Sequence, residues 1–430
     1  MNHNSSSLLH VKLDRMIFEY ISVGHYEAAM DIIETALVSK RQPSSQIIIA
    51  LVDIVLHLEN RKKLPKRKIL EIRQKSQRLL MHMLEIFGPE PFAELWNSFR
   101  RFHVFPRRQK TLYTSGDDED DERQLSGTGL SEYEDFWDFM KQCLVSGAKL
   151  DMAMKCRRMT LDIVISVLEL DLRLKKADNT SIGTTMMLMI LKKDSMGIRS
   201  QLQSYLDVLF CAFNHENNGS MTQTSRLEGI DLAGRVLNML ITLSGYDNAV
   251  SPNALVDRTY RHFVNLHADD CAHLLQVIRC GTFRASLCDM AIADADGSCV
   301  EKPYRHYRKN MNSTMRMEKL FHYVMKTQPS SLKNIEDIYR HVLVVLWYLD
   351  SLMDEYGLRY DLSNDHEPNT KIISTLPEDQ LLQVIEYGLA ATDEWRLHVR
   401  YMIQKVPPNT VVEKKIESTM YILLLHINMF

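Results

Sequence analysis

Apolar side chains recur at helical spacing along most of this chain, and that period sets the fold class before any motif is considered. In Leu13, Ile17, Tyr20 and Ile21 the spacing is i, i+4, i+7, i+8, one stripe of a 3.6-residue helix. Gly24 follows where a left-handed C-terminal cap is usual. Tyr26, Ala29, Met30, Ile33 and Leu37 make a second stripe, stopped before Pro43. Ile47, Leu51, Ile54, Val55 and Leu58 make a third, and Ile48 and Val52 give it a second apolar face, which places this helix among several neighbours. Ile69, Ile72, Leu79, Met83 and Phe87 continue the pattern to the Gly88-Pro89 break. Glu90 to His103 is expected as a short fifth helix, with Phe92, Leu95, Trp96 and Phe99 on one side.

Periodicity is lost from about residue 106 to 130, where Pro, Gly, Ser and an acidic run dominate, and a mobile acidic loop is expected there. Helical spacing resumes over 133–144 and 150–174. In the second of these, Leu168, Leu170, Leu172 and Leu174 alternate with charged residues as in a strand, while Leu161, Val164, Ile165 and Leu168 are helix-spaced; helix is favoured. Further helices are predicted over 198–213, 226–243, 252–266, 269–291, 311–327 and 332–356. Val342 to Leu349 is apolar all round, the pattern of a helix enclosed by others. Leu381 to Met402 keeps a seven-residue rhythm, and Ile416, Met420, Leu423, Leu424 and Ile427 mark a last helix. The expected class is therefore all-α, an irregular bundle or solenoid of roughly 15 helices with no regular repeat. Its division is expected at 1–105, an N-terminal helical subdomain, 106–130, the acidic loop, and 131–430, a C-terminal helical subdomain packed continuously with the first. Only 16 Gly and 12 Pro are present, too few to turn an all-β chain of this length.

Seven cysteines stand at 143, 156, 211, 271, 280, 288 and 299 with no C-x-x-C pair, which points to a reducing compartment rather than a disulfide framework. Met1 to His10 lacks the apolar core of a signal peptide. The apolar run Val342 to Leu349 falls far short of the roughly 20 residues that span a bilayer, so a soluble chain is expected. The net charge of −3 hides a strong asymmetry. Between Arg61 and Lys110 there are 14 Lys/Arg against 4 Glu, followed at once by the acidic run Asp117 to Glu122.

Few residue constellations carry chemistry. His262, His267, Cys271, His273 and Cys280 are the nearest to a metal set, but neither C-x-x-C nor H-E-x-x-H spacing is present, and buried cysteines beside exposed histidines are the simpler account. Asp294-Ala295-Asp296-Gly297 opens like a calcium loop, yet its twelfth position is Arg305. No phosphate loop and no nucleophile elbow occurs, so no catalytic residue, metal or cofactor is expected. Arg61, Lys62, Lys63, Lys66, Arg67 and Lys68, with Arg73, Lys75 and Arg78 and then Arg100, Arg101, Arg107, Arg108 and Lys110, are dense enough to grip a phosphate backbone by counterion release. A solvated helix face, an acidic partner or the chain's own acidic loop would equally use them. Tyr304 to Lys309 interleaves aromatics with cations over a shorter stretch, and Ile47 to Asp53 has the outline of a SUMO-binding strand set inside a strongly amphipathic helix.

The two opening helices, the stretch Phe87-Gly88-Pro89-Glu90-Pro91-Phe92-Ala93-Glu94-Leu95-Trp96 and the late stretch Asp393 to Met402 together resemble the C-terminal helical half of the vertebrate SUMO-interacting-motifs-containing family. The resemblance covers essentially the whole chain and implies a domain similar to the yeast non-SMC element five. It implies a partner, a second helical protein of the non-SMC-element-six type, which in vertebrates is an SMC five–six localisation factor. The pair would recruit the SMC five–six complex to chromatin or to extrachromosomal and viral DNA, in the nucleus and at SUMO-rich nuclear bodies. The family's SUMO-binding motifs belong to a disordered N-terminal region outside this chain, so SUMO is expected as a partner only through that region. Direct nucleic-acid binding through residues 61–110 is the alternative function.

Overall fold

The computed structural model describes residues 8–58, 65–100, 129–145, 152–177, 182–192, 198–213, 223–246, 250–295, 334–355 and 393–428. Among these the chain is all-α with no regular repeat. An isolated bridge between Leu8 and Gln42 is its one extended pairing among the described residues. In order, the α-helices, with the longest 3-10 segment in its place, are α1 (Val11–Val23), α2 (Tyr26–Val38), α3 (Ser45–His57), α4 (Lys66–Phe87), a 3-10 segment (Glu90–Ser98), α5 (Phe136–Leu144), α6 (Met152–Ala177), α7 (Met186–Lys192), α8 (Ile198–Phe210) and α9 (Gln223–Tyr246). Then come α10 (Pro252–Phe263), α11 (Ala268–Val277), α12 (Gly281–Ala295), α13 (Ile335–Glu355), α14 (393–405) and α15 (Thr410–Asn428). The predicted helix over 311–327 lies outside the described residues.

Local chemistry sets several helix ends. Gly24 closes α1 at φ 83°, with Ile21 and Tyr20 carbonyls accepting at the cap. The Ser44 hydroxyl accepts from the Ile47 N–H to open α3, and Asp135 accepts from both Trp137 and Asp138 N–H to open α5. Three expectations need correction. The segment after Pro89 is 3-10 rather than α and ends at Ser98, because Phe99 turns extended and buries its ring. The stretch 269–291 is two helices: Ile278 is extended and fully buried, and its carbonyl accepts from Arg284 Nη1 instead of continuing the helical ladder. Residues 186–192 form a helix that periodicity missed, because Met186, Met187, Leu188, Ile190 and Leu191 are apolar on every side and show no stripe.

The strand-like alternation in α6 resolves as helix. Leu168 and Leu172 are buried and Leu174 is exposed, whereas a strand would put all three on one face. Asp171, between them, is buried; it accepts from the Met186 N–H at 2.7 Å and so caps α7 from another helix.

Contacts divide the chain into two compact units, one of Met1–Ala212 with Glu216–Ala249 and one of Phe213–His215 with Val250–Phe430. In the first, α3 packs against α1, α4, α6 and the 3-10 segment, the enclosed position its two apolar faces demand. Because α6 packs on α3 and α4, the residues on either side of 106–130 share this unit. In the second unit α13 is the enclosed helix, packed by α11, α12 and α15, with Val342 to Leu346 all buried.

Candidate functional site

The basic segment is partly spent on the fold. Glu27, Asp31 and Glu34 lie on one face of α2 at i, i+4, i+7 and receive α4: Lys68 Nζ lies 3.2 Å from Glu27, and Lys75 Nζ lies 2.5 Å from Asp31 and 3.5 Å from Glu34. The Asp31 hydrogen bond, outweighing burial, holds the Lys75 ammonium above its ordinary range. Arg67 pairs with Glu71 one turn on, at 3.0 Å. Arg73 is buried, so it presents no charge to a surface ligand. Arg100 binds the turn before α5, its N–H donating to the Tyr133 carbonyl and its guanidinium to that of Glu132. Lys66, Arg67 and Arg78 are the described cations of α4 that stand exposed. Arg61, Lys62, Lys63, Arg101, Arg107, Arg108 and Lys110 lie outside the described residues, as does the acidic run 117–122.

The histidine–cysteine set scatters. Cys271 is buried, its Sγ directed at the carbonyls of Phe263 and Leu266, and burial pushes its thiol up to about 12. His267 is exposed at the start of α11. Cys280 is half-exposed rather than buried and shares a hydrogen bond with the Thr282 hydroxyl. Among the described residues no three His, Cys, Asp or Glu side chains are grouped to hold a metal ion, and no helix is long and apolar enough to cross a membrane.

The Ile47–Asp53 run is helical, with Ile47, Ile48, Leu51 and Val52 buried. Asp53 accepts from the Gly129 N–H at 2.9 Å, tying residues 129–132 to α3. A Cβ on Gly129 would collide with the His57 ring. Gly129→Ala is therefore expected to lower stability by about 1–3 kcal/mol in a denaturant titration. Ala at Gly183, where a Cβ meets nothing within 4 Å, is the control.

Sequence reasoning overlooked the interior arginines. Arg158 on α6 is buried and donates to the Cys143 carbonyl at 3.2 Å, to the Ser225 carbonyl, and to the Ser225 hydroxyl at 2.7 Å. Arg235 on α9 meets three α6 side chains: Asp162 at 2.5 Å, Ser166 at 2.9 Å and Glu169 at 2.7 Å. Burial opposes the Arg235 charge, but the hydrogen bonds and charges of Glu169 and Asp162 outweigh it and raise the pKa. Arg284 on α12 donates to Ser351 at 2.8 Å and Asp350 at 2.7 Å on α13, and lies 4.8 Å from the Trp347 ring centre. Arg340 on α13 donates to the Val264 and Leu266 carbonyls just past the end of α10. A signal was present: Arg158 falls on the same stripe as Leu161, Ile165, Leu168 and Leu172.

In α14, the stretch that carries the later part of the resemblance, Trp395, Val399 and Met402 are buried, while Leu397 and Tyr401 are 67% and 49% exposed. On α15, Val411, Tyr421 and Ile422 are exposed as well. No family model, curated protein or solved structure matches the chain.

Proposed function

We propose that this chain is a non-enzymatic helical adaptor that pairs with a second helical protein of the non-SMC-element-six type, an SMC five–six localisation factor. The pair recruits the SMC five–six complex to chromatin or to extrachromosomal and viral DNA in the nucleus. The observation that carries this reading is the exposure of Leu397 and Tyr401 within the Asp393–Met402 stretch where the resemblance falls. Single exposed apolar residues are ordinary on a folded surface. Two of them one helical turn apart, each in mid-helix, form the kind of stripe by which one helix recognises another.

Co-expression with a localisation-factor helical domain, followed by light scattering of the purified species, tests the reading. A one-to-one complex is expected. Leu397→Glu with Tyr401→Glu should weaken it by roughly tenfold or more, the loss of two apolar anchors. A chain that stays alone in the presence of the localisation factor would sink the proposal.

A further inference from the structure

Helix α14 is attached to α13 through an unusual donor–acceptor pair. Trp395 Nε1 donates to His341 Nε2 at 3.1 Å, with Trp395 1% and His341 4% exposed. An indole can only donate, so this bond requires a bare Nε2 and a neutral imidazole with its proton on Nδ1. A protonated imidazole would set two N–H groups against each other in a site closed to water. We propose that α14 is an acid-releasable element, docked on α13 only while His341 is neutral.

Among the described residues, the charge that acts on His341 adds to this rather than offsetting it. His398 is the titratable group that α14 itself turns toward His341, and its positive charge adds repulsion. On the α12 side Asp289 accepts from the Tyr348 hydroxyl, and Asp350 is engaged by Arg284. On the side of α11 and α15, Asp269 is paired with Lys415 at 2.6 Å. Burial, and secondarily His398, pulls the His341 pKa down from 6.5 to about 4. With α14 released, His341 on α13 thus takes up a proton between those two values that it refuses while α14 is docked. Docking is fully supported above pH 6.5 and weakens as pH falls toward 4, by roughly 50-fold in the docked-to-released ratio between pH 7 and pH 4.5. Release would carry Leu397 and Tyr401 away together with the buried Trp395, Val399 and Met402.

Amide exchange on the full chain, read by mass spectrometry from pH 7.5 to 4.5 and corrected for intrinsic rates, tests this. Protection of peptides within 393–405 should fall by the stated factor while α6 and α9 keep theirs. In His341→Gln the amide oxygen keeps an acceptor that does not titrate, and protection of α14 should become flat with pH. A flat profile in the wild type, or an unchanged pH dependence in H341Q, would overturn the proposal. If H341Q does not fold, the nitrogen resonances of His341 in the wild type decide. A bare Nε2 that titrates well below pH 6 supports the latch, and a midpoint at or above about 6 refutes it.

Discussion

Replacing Arg158 by methionine is expected to cost the first compact unit about 3–5 kcal/mol, among the largest effects of any single polar substitution in this chain. The guanidinium reaches into the junction of α5, α6 and α9 and serves acceptors from two of them, the Cys143 carbonyl and both oxygens of Ser225. Methionine fills similar volume but donates nothing, so those acceptors stay buried without the donor they now have, at about 1–3 kcal/mol each where no water enters. Burial already works against the charge and pulls the Arg158 pKa down, despite Glu228 at 3.7 Å. The Glu228 side chain is largely exposed, so its contribution is small, and Glu228→Gln should cost less than about 1 kcal/mol. Arg158→Lys restores the charge without the planar fork and should fall in between. Urea titrations of the three variants, followed by circular dichroism, give the ranking; a methionine variant within about 1 kcal/mol of wild type would refute this account.

Trp96→Ala should cost a comparable 3–5 kcal/mol through a different cause, the cavity left in an aromatic ladder. Trp96 is fully buried, its ring centre 6.3 Å from Phe99 and 6.1 Å from Phe136. From Phe136 the chain of rings continues to Trp137 at 5.3 Å and to Tyr205 at 4.3 Å, and from Phe99 to Phe139 and Tyr133. The ladder joins the 3-10 segment, the turn before α5, α5 itself and α8. Edge-to-face pairs add about 0.5–1.5 kcal/mol each to the apolar area they bury. Trp96→Phe keeps one ring and should lose much less. The check is thermal and urea unfolding of both variants; equal losses would mean that the cavity is not the cause.

Both predictions rest on residues whose roles were only half visible in the sequence. Phe92, Leu95, Trp96 and Phe99 were legible as one apolar side, but not the 3-10 winding that presents them or the rings from residues 133–139 that meet them. Periodicity located α3 and α13 as enclosed helices because two apolar faces have no other use. It could not split 269–291 at Ile278, where the chain turns extended at a residue that is neither Gly nor Pro and Arg284 donates to its carbonyl. The basic segment was evident as a charge run. That Lys68 and Lys75 would meet the acidic stripe of α2 was not, because the pairing depends on how two helices pack.

What the sequence by itself determined is the all-α class, several helix ends and the two central helices, for these follow from local spacing, caps and breaks acting over a few residues. Tertiary structure alone decided which charges turn inward. Arg158, Arg235, Arg284 and His341 sit on helices that look ordinary, and each has a partner more than fifty residues away along the chain. Burial turns a weak surface contact into a strong demand for a particular donor or acceptor, and burial is a property of the packed unit.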